Sequence, residues 1–358
     1  MDSFATFPEQ EEAKRLLRAG LAESPAHAYL FHGPPGVGKR RAALAFAGEL
    51  VASPERVARL AHPDVYLVEP LGDQIRIDPI RELRRDLHMR PFEADRRVYL
   101  VFGAHLLNED AADALLKDLE EPPRYAVIVL VADELGLLPA TIRSRCQHVP
   151  FRRLSRPAIE AHLRGRGLEG EALEIASRVA AGRLDRAERL LDAKARKRRA
   201  LALELARAVY LDPGFDPAEA AQRAAKLAHG AGAEARAEAE EASTGEESTR
   251  EAEQRVRRAR RGAEREAVLE LLDVLASWYR DLVVAAAGAD AAVLNSDRLA
   301  ALRDDAVAGR SGEAARAAEV VHDAWRSFQF NVQPGLALEA LFVRLRRAFL
   351  AEAITSAG

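Results

Sequence analysis

Cysteine is almost absent from this chain, because its 358 residues include only Cys146. A lone cysteine cannot form an intrachain disulfide or supply a thiolate zinc cluster. No His or Lys cluster flanks Cys146 to lower its pKa, so we interpret it as a small buried side chain rather than a reactive thiol. The composition therefore excludes disulfide scaffolds and cysteine-rich zinc modules.

Long apolar runs are also missing. The longest, Tyr125 to Ala132, has eight residues, whereas a helix that spans a bilayer needs about 20. The first ten residues contain no basic segment followed by an apolar core, so no secretory signal is predicted. We expect a protein without membrane contact and with a cytoplasmic location.

Charge of one sign is not in excess, since 53 Lys and Arg face 56 Asp and Glu for a net charge of −3. This balance excludes the global cationic field that dominates sequence-independent nucleic-acid binding. Contact with DNA must then come from a local patch or through partners. At about 100–200 residues per domain, the length allows two or three domains.

The first 150 residues alternate β-rich runs with amphipathic stretches, a pattern typical of a parallel sheet with crossover helices. The predicted strands are Ala28–His32, Val65–Val68, Arg97–Phe102 and Ala126–Val131. The predicted helices are Arg40–Ala52, Pro79–His88, Asn108–Glu121 and Leu138–Ser144. The last two strands are nearly continuous apolar runs, as expected for strands that are buried on both faces. We therefore predict an α/β domain over residues 1–152.

The strand signal ends after Phe151. Short helical segments separated by glycines predict a small helical domain over 153–200. A helical pattern rich in Ala, Leu, Arg and Glu predicts an all-α domain over 201–358. Within the latter, residues 230–266 form a low-complexity charged insert that ends in a run of arginines between 255 and 261. Two interpretations stay open: a patch for nucleic acid or a partner, and a solvated helix or arm whose opposite charges largely cancel.

A phosphate-loop pattern follows the first predicted strand. Gly33-Pro34-Pro35-Gly36-Val37-Gly38-Lys39-Arg40 matches G-x-x-x-x-G-K-[ST] at every fixed position except the last. Gly33, Gly36 and Gly38 let backbone N–H groups point into one concavity, the helix N-terminus adds partial positive charge, and Lys39 would reach the outer phosphates. The pattern and its context predict a phosphate-loop fold.

The residues that would hold magnesium are missing. Arg40 replaces the Ser or Thr ligand, and a guanidinium offers no lone pair to a cation. The acidic residues expected at the end of a later strand are absent from Phe102-Gly103-Ala104-His105. Because phosphoryl transfer depends on metal-borne charge neutralisation, we predict no intrinsic ATPase. Two alternatives stay open: the loop holds ATP or phosphate weakly without hydrolysis, or it only shapes the turn.

Three further segments carry a family resemblance: the His27–Phe31 strand before the loop, Ala114–Pro123 (ALLKDLEEPP), and Leu138–Cys146 (LPATIRSRC). In this order they resemble the clamp-loader branch of the AAA+ ATPases, and within it the delta-prime subunits of bacterial DNA polymerase III. The resemblance is good over the first 150 residues. It extends more loosely to Gly182–Ala187, which is similar to the second sensor segment. It implies a RecA-like AAA+ domain, a helical lid and a collar through which subunits associate.

The resemblance also implies partners and roles. It implies a ring with gamma/tau and delta subunits, and it implies contact with the sliding clamp and primer-template DNA through that complex. Arg145 would be an arginine finger that acts in trans on a gamma/tau ATP site; the alternative is an arginine near the last carbonyls of a helix. The four-cysteine zinc module frequent in the family is absent, so no zinc and no required cofactor are predicted.

The resemblance thus predicts a non-hydrolysing stator subunit of a DNA-directed DNA polymerase holoenzyme, without ATPase or polymerase activity of its own. Three rival functions remain. The chain could be a gamma/tau-like clamp-loader ATPase, a stand-alone AAA+ remodelling ATPase whose metal is held by other residues, or a nucleotide-independent DNA-binding module that uses the arginine run.

Overall fold

The computed structural model describes residues 3–70, 74–241, 249–306, 310–328 and 334–350. They fall into two compact units, Met1–Glu188 and Arg189–Gly358. The first unit contains the sheet and the second is helical in its described residues. Within the described ranges, no helix is both long enough and apolar enough to cross a bilayer.

The first unit is built on a five-stranded parallel sheet with the order β2-β3-β4-β1-β5. Its strands are β1 (Ala28–His32), β2 (Val65–Val68), β3 (Arg97–Phe102), β4 (Ala126–Ala132) and β5 (Gln147–Pro150). The four predicted strands are confirmed, with β4 one residue longer than expected. Every residue of β3 and β4 is buried, which explains their continuous apolar runs.

Helices cover both faces of this sheet. One face is covered by α1 (Glu11–Ala22), α2 (Lys39–Leu50) and α3 (Pro54–Ala58), and the other by α4 (Ile77–Leu87), α5 (Glu109–Glu120) and α6 (Ala140–Arg143). Three more helices follow the sheet along the chain: α7 (Arg156–Arg164), α8 (Gly170–Val179) and α9 (Leu184–Arg189). Side chains alternate along β1, so Tyr29 and Phe31 enter the core that contains Phe46, whereas Leu30 enters the core on the other face. The four predicted helices are confirmed to within two residues at each end.

The second unit consists of α10 (Ala193–Leu211), α11 (Pro217–Glu241), α12 (Thr249–Ala286), α13 (Leu299–Asp305), α14 (Arg310–Ser327) and α15 (Pro334–Leu350). Its core surrounds the fully buried rings of Trp278, Tyr279 and Phe342. The predicted α/β domain with a parallel sheet, followed by a helical C-terminal region, is therefore confirmed.

The proposed three-domain division stays a prediction. Helices α7 and α8 and all of α9 except its last residue, Arg189, lie in the first unit, although they belong to the predicted domain 153–200. The predicted boundary between 200 and 201 falls inside α10, which runs without interruption from Ala193 to Leu211. A domain boundary seldom interrupts a helix, so the start of α10 is the better position for this boundary.

The charged insert at 230–266 falls on the second half of α11 and the first part of α12, and its residues 242–248 lie outside the described residues. The two helices approach closely, because a Cβ atom on Gly232 would lie 2.4 Å from Cγ of Glu264. Local pairs such as Arg260 with Glu264, at 2.9 Å, satisfy charges along the helix. These contacts favour the solvated-helix interpretation of the insert.

Candidate functional site

The phosphate loop connects the carboxyl end of β1 to α2, as predicted. Its glycines adopt positive φ angles, +137° at Gly33, +73° at Gly36 and +99° at Gly38, in a region that disfavours other residues. A Cβ atom on Gly33 would lie 2.1 Å from the carbonyl oxygen of Phe151. Gly38 is the N-cap of α2. The three glycines therefore allow a tight turn that presents the start of α2 to a cleft.

Lys39 turns back onto its own loop. Its side chain is only 4% exposed, and its ammonium group donates to the carbonyl oxygens of Gly33, at 2.6 Å, and Pro34. It also forms an ion pair of 2.7 Å with Oδ1 of Asp133. Burial lowers the pKa of Lys39 below its usual value, and the Asp133 carboxylate opposes this shift. The cation that would reach a phosphate is thus held by oxygens of the chain itself.

The two positions that lack metal ligands contact each other. The guanidinium of Arg40 lies over the ring of Phe102, 4.2 Å from its centroid, and it also forms an ion pair with Glu69. In a working site these positions would supply a hydroxyl and a carboxylate to magnesium. A cation stacked on a phenyl ring offers neither donor, so these residues do not fit a magnesium–nucleotide complex. Among the described residues, no group of three or more His, Cys, Asp or Glu side chains is placed to hold a metal.

The start of α9 and the residues just before it pack against the phosphate loop. The backbone N–H of Leu184 donates to the carbonyl oxygen of Gly36 at 2.7 Å, and Arg183 pairs with Asp185 at the same distance. A Cβ atom on Gly36 would lie 1.9 Å from Oδ1 of Asp185, so a side chain at position 36 would displace the Asp185 carboxylate. The segment 182–187, similar in sequence to a sensor, therefore packs directly against the phosphate loop.

The resulting cleft has a volume of about 300 Å³. Burial alone would raise the pKa of Glu188, but hydrogen bonds from Arg41 and His162 outweigh it and hold this pKa low. Each cation around the cleft has a carboxylate partner: Lys39 with Asp133, Arg40 with Glu69, Arg41 with Glu188 and Arg183 with Asp185. Carboxylates of the chain therefore balance the positive charges around the cleft, whereas a site that binds a polyanion needs an excess of positive charge.

Asp133 was not among the predicted site residues, although its position after a buried strand was a signal for it. Asp133 directly follows β4, which lies beside β1 in the sheet. Ligands of parallel sheets bind beyond the carboxyl ends of neighbouring strands, so an acidic residue there belongs to the phosphate-loop site.

Arg145 lies just after α6, and in the described part of the chain it is not among the residues that line the cleft. Its guanidinium donates to the carbonyl oxygen of Thr141 at 2.8 Å and forms an ion pair with Glu120. The contact with Thr141 matches the helix-end alternative, while the side chain remains 34% exposed. The neighbouring Cys146 packs beside the core, and burial raises the pKa of its thiol to about 12, in agreement with an unreactive role.

Comparison with known proteins shows what the first part of this chain is similar to. Residues 9–155 match the model of the family described as "DNA polymerase III, delta subunit". The delta-prime subunit of Bacillus subtilis (strain 168) is 36% identical over 150 residues, which cover 38% of this chain and 46% of that protein. The tau subunit of the same organism is 31% identical over 180 residues, covering 47% of this chain and 32% of that protein.

A solved structure of a gamma subunit-related protein of DNA polymerase III from Thermotoga maritima matches with a TM-score of 0.47 and 18% identity, covering 94% of this chain and 99% of that one. The chain spans 32% of the length of the tau subunit and 46% of the length of the delta-prime subunit of Bacillus subtilis.

The parallel sheet, the loop after β1 and the sensor-like segment define a phosphate-loop protein of the AAA+ class. Within that class, residues 9–155 are similar to subunits of DNA polymerase III. The resemblance drawn from the ALLKDLEEPP and SRC motifs is therefore confirmed at the level of the family.

Proposed function

We propose that this protein is a delta-prime-type, non-hydrolysing subunit of a bacterial replicative clamp loader. It would assemble with gamma/tau and delta subunits and help to load the sliding clamp onto primer-template DNA. It would contact the clamp and the DNA as part of that complex. The proposal includes no required cofactor and no zinc, and at most weak ATP or phosphate binding at Gly33, Gly36, Gly38 and Lys39.

The observation that carries this proposal is the contact between Arg40 and Phe102. Catalysis of phosphoryl transfer depends on positioning and on metal-borne charge. Here the two metal-ligand positions form a cation–π pair, at 4.2 Å. Restoring one ligand alone would leave the other position blocked, so the loss of hydrolysis does not depend on a single residue.

Arg145 is the residue that we propose acts on a neighbour. It lies on the segment Ser144-Arg145-Cys146, and its partial exposure leaves the guanidinium within reach of another subunit. The Glu120 pair is half-exposed, and ion pairs of this kind contribute little to stability, so it can be exchanged for a phosphate in trans. Arginine fingers supplied in trans raise the rate of phosphoryl transfer by a factor of about 10³–10⁵.

Reconstitution with gamma/tau and delta subunits tests this role. ATP hydrolysis and clamp loading by the complex should rise when the wild-type chain is added. They should rise far less with Arg145→Ala, although assembly on a sizing column should be unchanged. Arg143→Ala, two residues away on α6, is the matched control and should behave as wild type. Equal rates for wild type and Arg145→Ala would rule the finger out.

A gamma/tau-like ATPase is the second candidate, because the relatives include a tau subunit as well as a delta-prime subunit. This candidate requires the isolated chain to hydrolyse ATP with magnesium. A stand-alone AAA+ remodelling enzyme would show the same activity without partners, whereas the gamma/tau-like role would also require stimulation by the complex. Neither outcome is expected with Arg40 and Phe102 in place.

A further inference from the structure

The ammonium group of Lys39 has no donor left for a ligand. A lysine has three N–H donors. Three oxygens surround its nitrogen, namely the carbonyl oxygens of Gly33 and Pro34 and Oδ1 of Asp133. Two of these belong to the loop itself and one is a full negative charge. A phosphate that enters the loop must therefore displace at least one of them.

The fold places Asp133 at this position. β4 pairs in parallel with β1, so that His32 lies opposite Ala132 and the carboxyl ends of the two strands meet. The phosphate loop starts directly after His32, and Asp133 starts the segment after β4. The backbone N–H of Asp133 donates to Nδ1 of His105 at 3.2 Å, which anchors the residue, while its carboxylate lines the cleft with 38% exposure.

The chemistry of this contact resembles that of a bound phosphate. A carboxylate and a phosphate oxygen are both anionic acceptors for an ammonium donor. Lys39 is almost fully buried, and removing its partner would leave a buried charge unpaired. The pair also brings the formal charge of Lys39 and Asp133 together to zero, which removes the attraction for a polyphosphate.

We propose that Asp133 is an internal substitute for phosphate, and that its ion pair with Lys39 determines how weakly the loop binds polyphosphate. The inference deepens the proposed non-hydrolysing role and rests on it. It assigns the weak anion affinity to one side chain rather than to the loss of the loop as a binding structure. The loop backbone remains competent, so removal of the Asp133 charge restores binding of a polyphosphate without restoring hydrolysis.

The test measures binding of inorganic tripolyphosphate to the isolated full chain by calorimetry, in the presence of EDTA. Asp133→Asn should bind about tenfold more tightly than wild type, because a hydrogen bond between charged groups corresponds to about that factor in an equilibrium constant. The double variant Asp133→Asn, Lys39→Met should lose this gain. Glu134→Gln makes the same change of charge on the neighbouring exposed residue and should bind as wild type.

Equal binding by wild type and a folded Asp133→Asn variant would overturn the inference, and so would a gain that survives Lys39→Met or appears equally in Glu134→Gln. If Asp133→Asn does not fold, Asp133→Ala replaces it with the same expected result. Because no partner subunit is present, this outcome is independent of the Arg145 test. Unchanged binding would leave the delta-prime-type role in place, and a failed reconstitution would leave the tripolyphosphate result in place.

Discussion

The contact between Arg40 and Phe102 should have a measurable coupling energy. A cation–π pair at a partly exposed site is worth about 0.5–1 kcal/mol. Arg40 is 49% exposed, so its ion pair with Glu69 adds little more. We expect Arg40→Ala and Phe102→Leu each to lower the free energy of unfolding. The double variant should lose about 0.5–1 kcal/mol less than the sum of the two single losses.

Amide hydrogen exchange over β1, β3 and β4, followed under native conditions, gives the free energy of opening of the first unit for each variant. The two tryptophans of the chain, Trp278 and Trp325, both lie in the second unit. Their fluorescence therefore reports urea unfolding of that unit and should not change. A coupling within about 0.3 kcal/mol of zero would mean that the effects are additive, and would refute the argument that the two positions act as a pair.

Three further changes have defined outcomes. Burial raises the pKa of Asp64, but hydrogen bonds from three backbone N–H groups and the charge of Arg97 outweigh this effect and lower the pKa overall. The stability that Asp64 confers is therefore complete above its unfolded pKa of about 4 and is lost as the pH falls through its lower folded pKa. Amide hydrogen exchange over β1, β3 and β4, followed across this acid range, should show that Asp64→Asn makes the first unit less stable by about 1.5–3 kcal/mol at pH 7 and removes this acid-dependent loss. Gly36→Ala, with a φ of +73°, should lower stability by about 1–2 kcal/mol in thermal unfolding, whereas Gly136→Ala, which has open space around it, should be neutral. Alkylation of the partly buried Cys146 at pH 8 should be roughly a thousandfold slower in the native than in the unfolded chain, because desolvation raises the pKa of its thiol to about 12 and leaves little thiolate. Rapid labelling of the native protein would contradict this raised pKa.

The sheet could be predicted from the sequence because its central strands are short, apolar and separated by clear turn signals. β5 was missed for the opposite reason. Its four residues, Gln147–Pro150, include polar and exposed side chains at the edge of the sheet, and its pairing with β1 is a long-range contact. Local patterns report burial and periodicity, whereas an edge strand owes its structure to a neighbour that is distant in the sequence.

The site was predictable in part for a related reason. The glycines, Lys39 and the two missing metal ligands can be recognised by their position in a motif. The pairing of Arg40 with Phe102 and of Lys39 with Asp133 depends on which strands lie side by side. Motif spacing contains no information about strand order, so these two pairs, which occupy the metal-ligand positions and neutralise Lys39, can be identified only from the three-dimensional structure.

The proposed role depends most directly on the inability of this chain to hydrolyse ATP by itself. The decisive measurement is the steady-state release of phosphate from magnesium ATP by the isolated, homogeneous protein. We expect no turnover above that of a Lys39→Ala variant, because the residues at both metal-ligand positions cannot bind the ion. A rate in the ordinary enzymatic range, from about 1 to 10³ per second, would contradict the account.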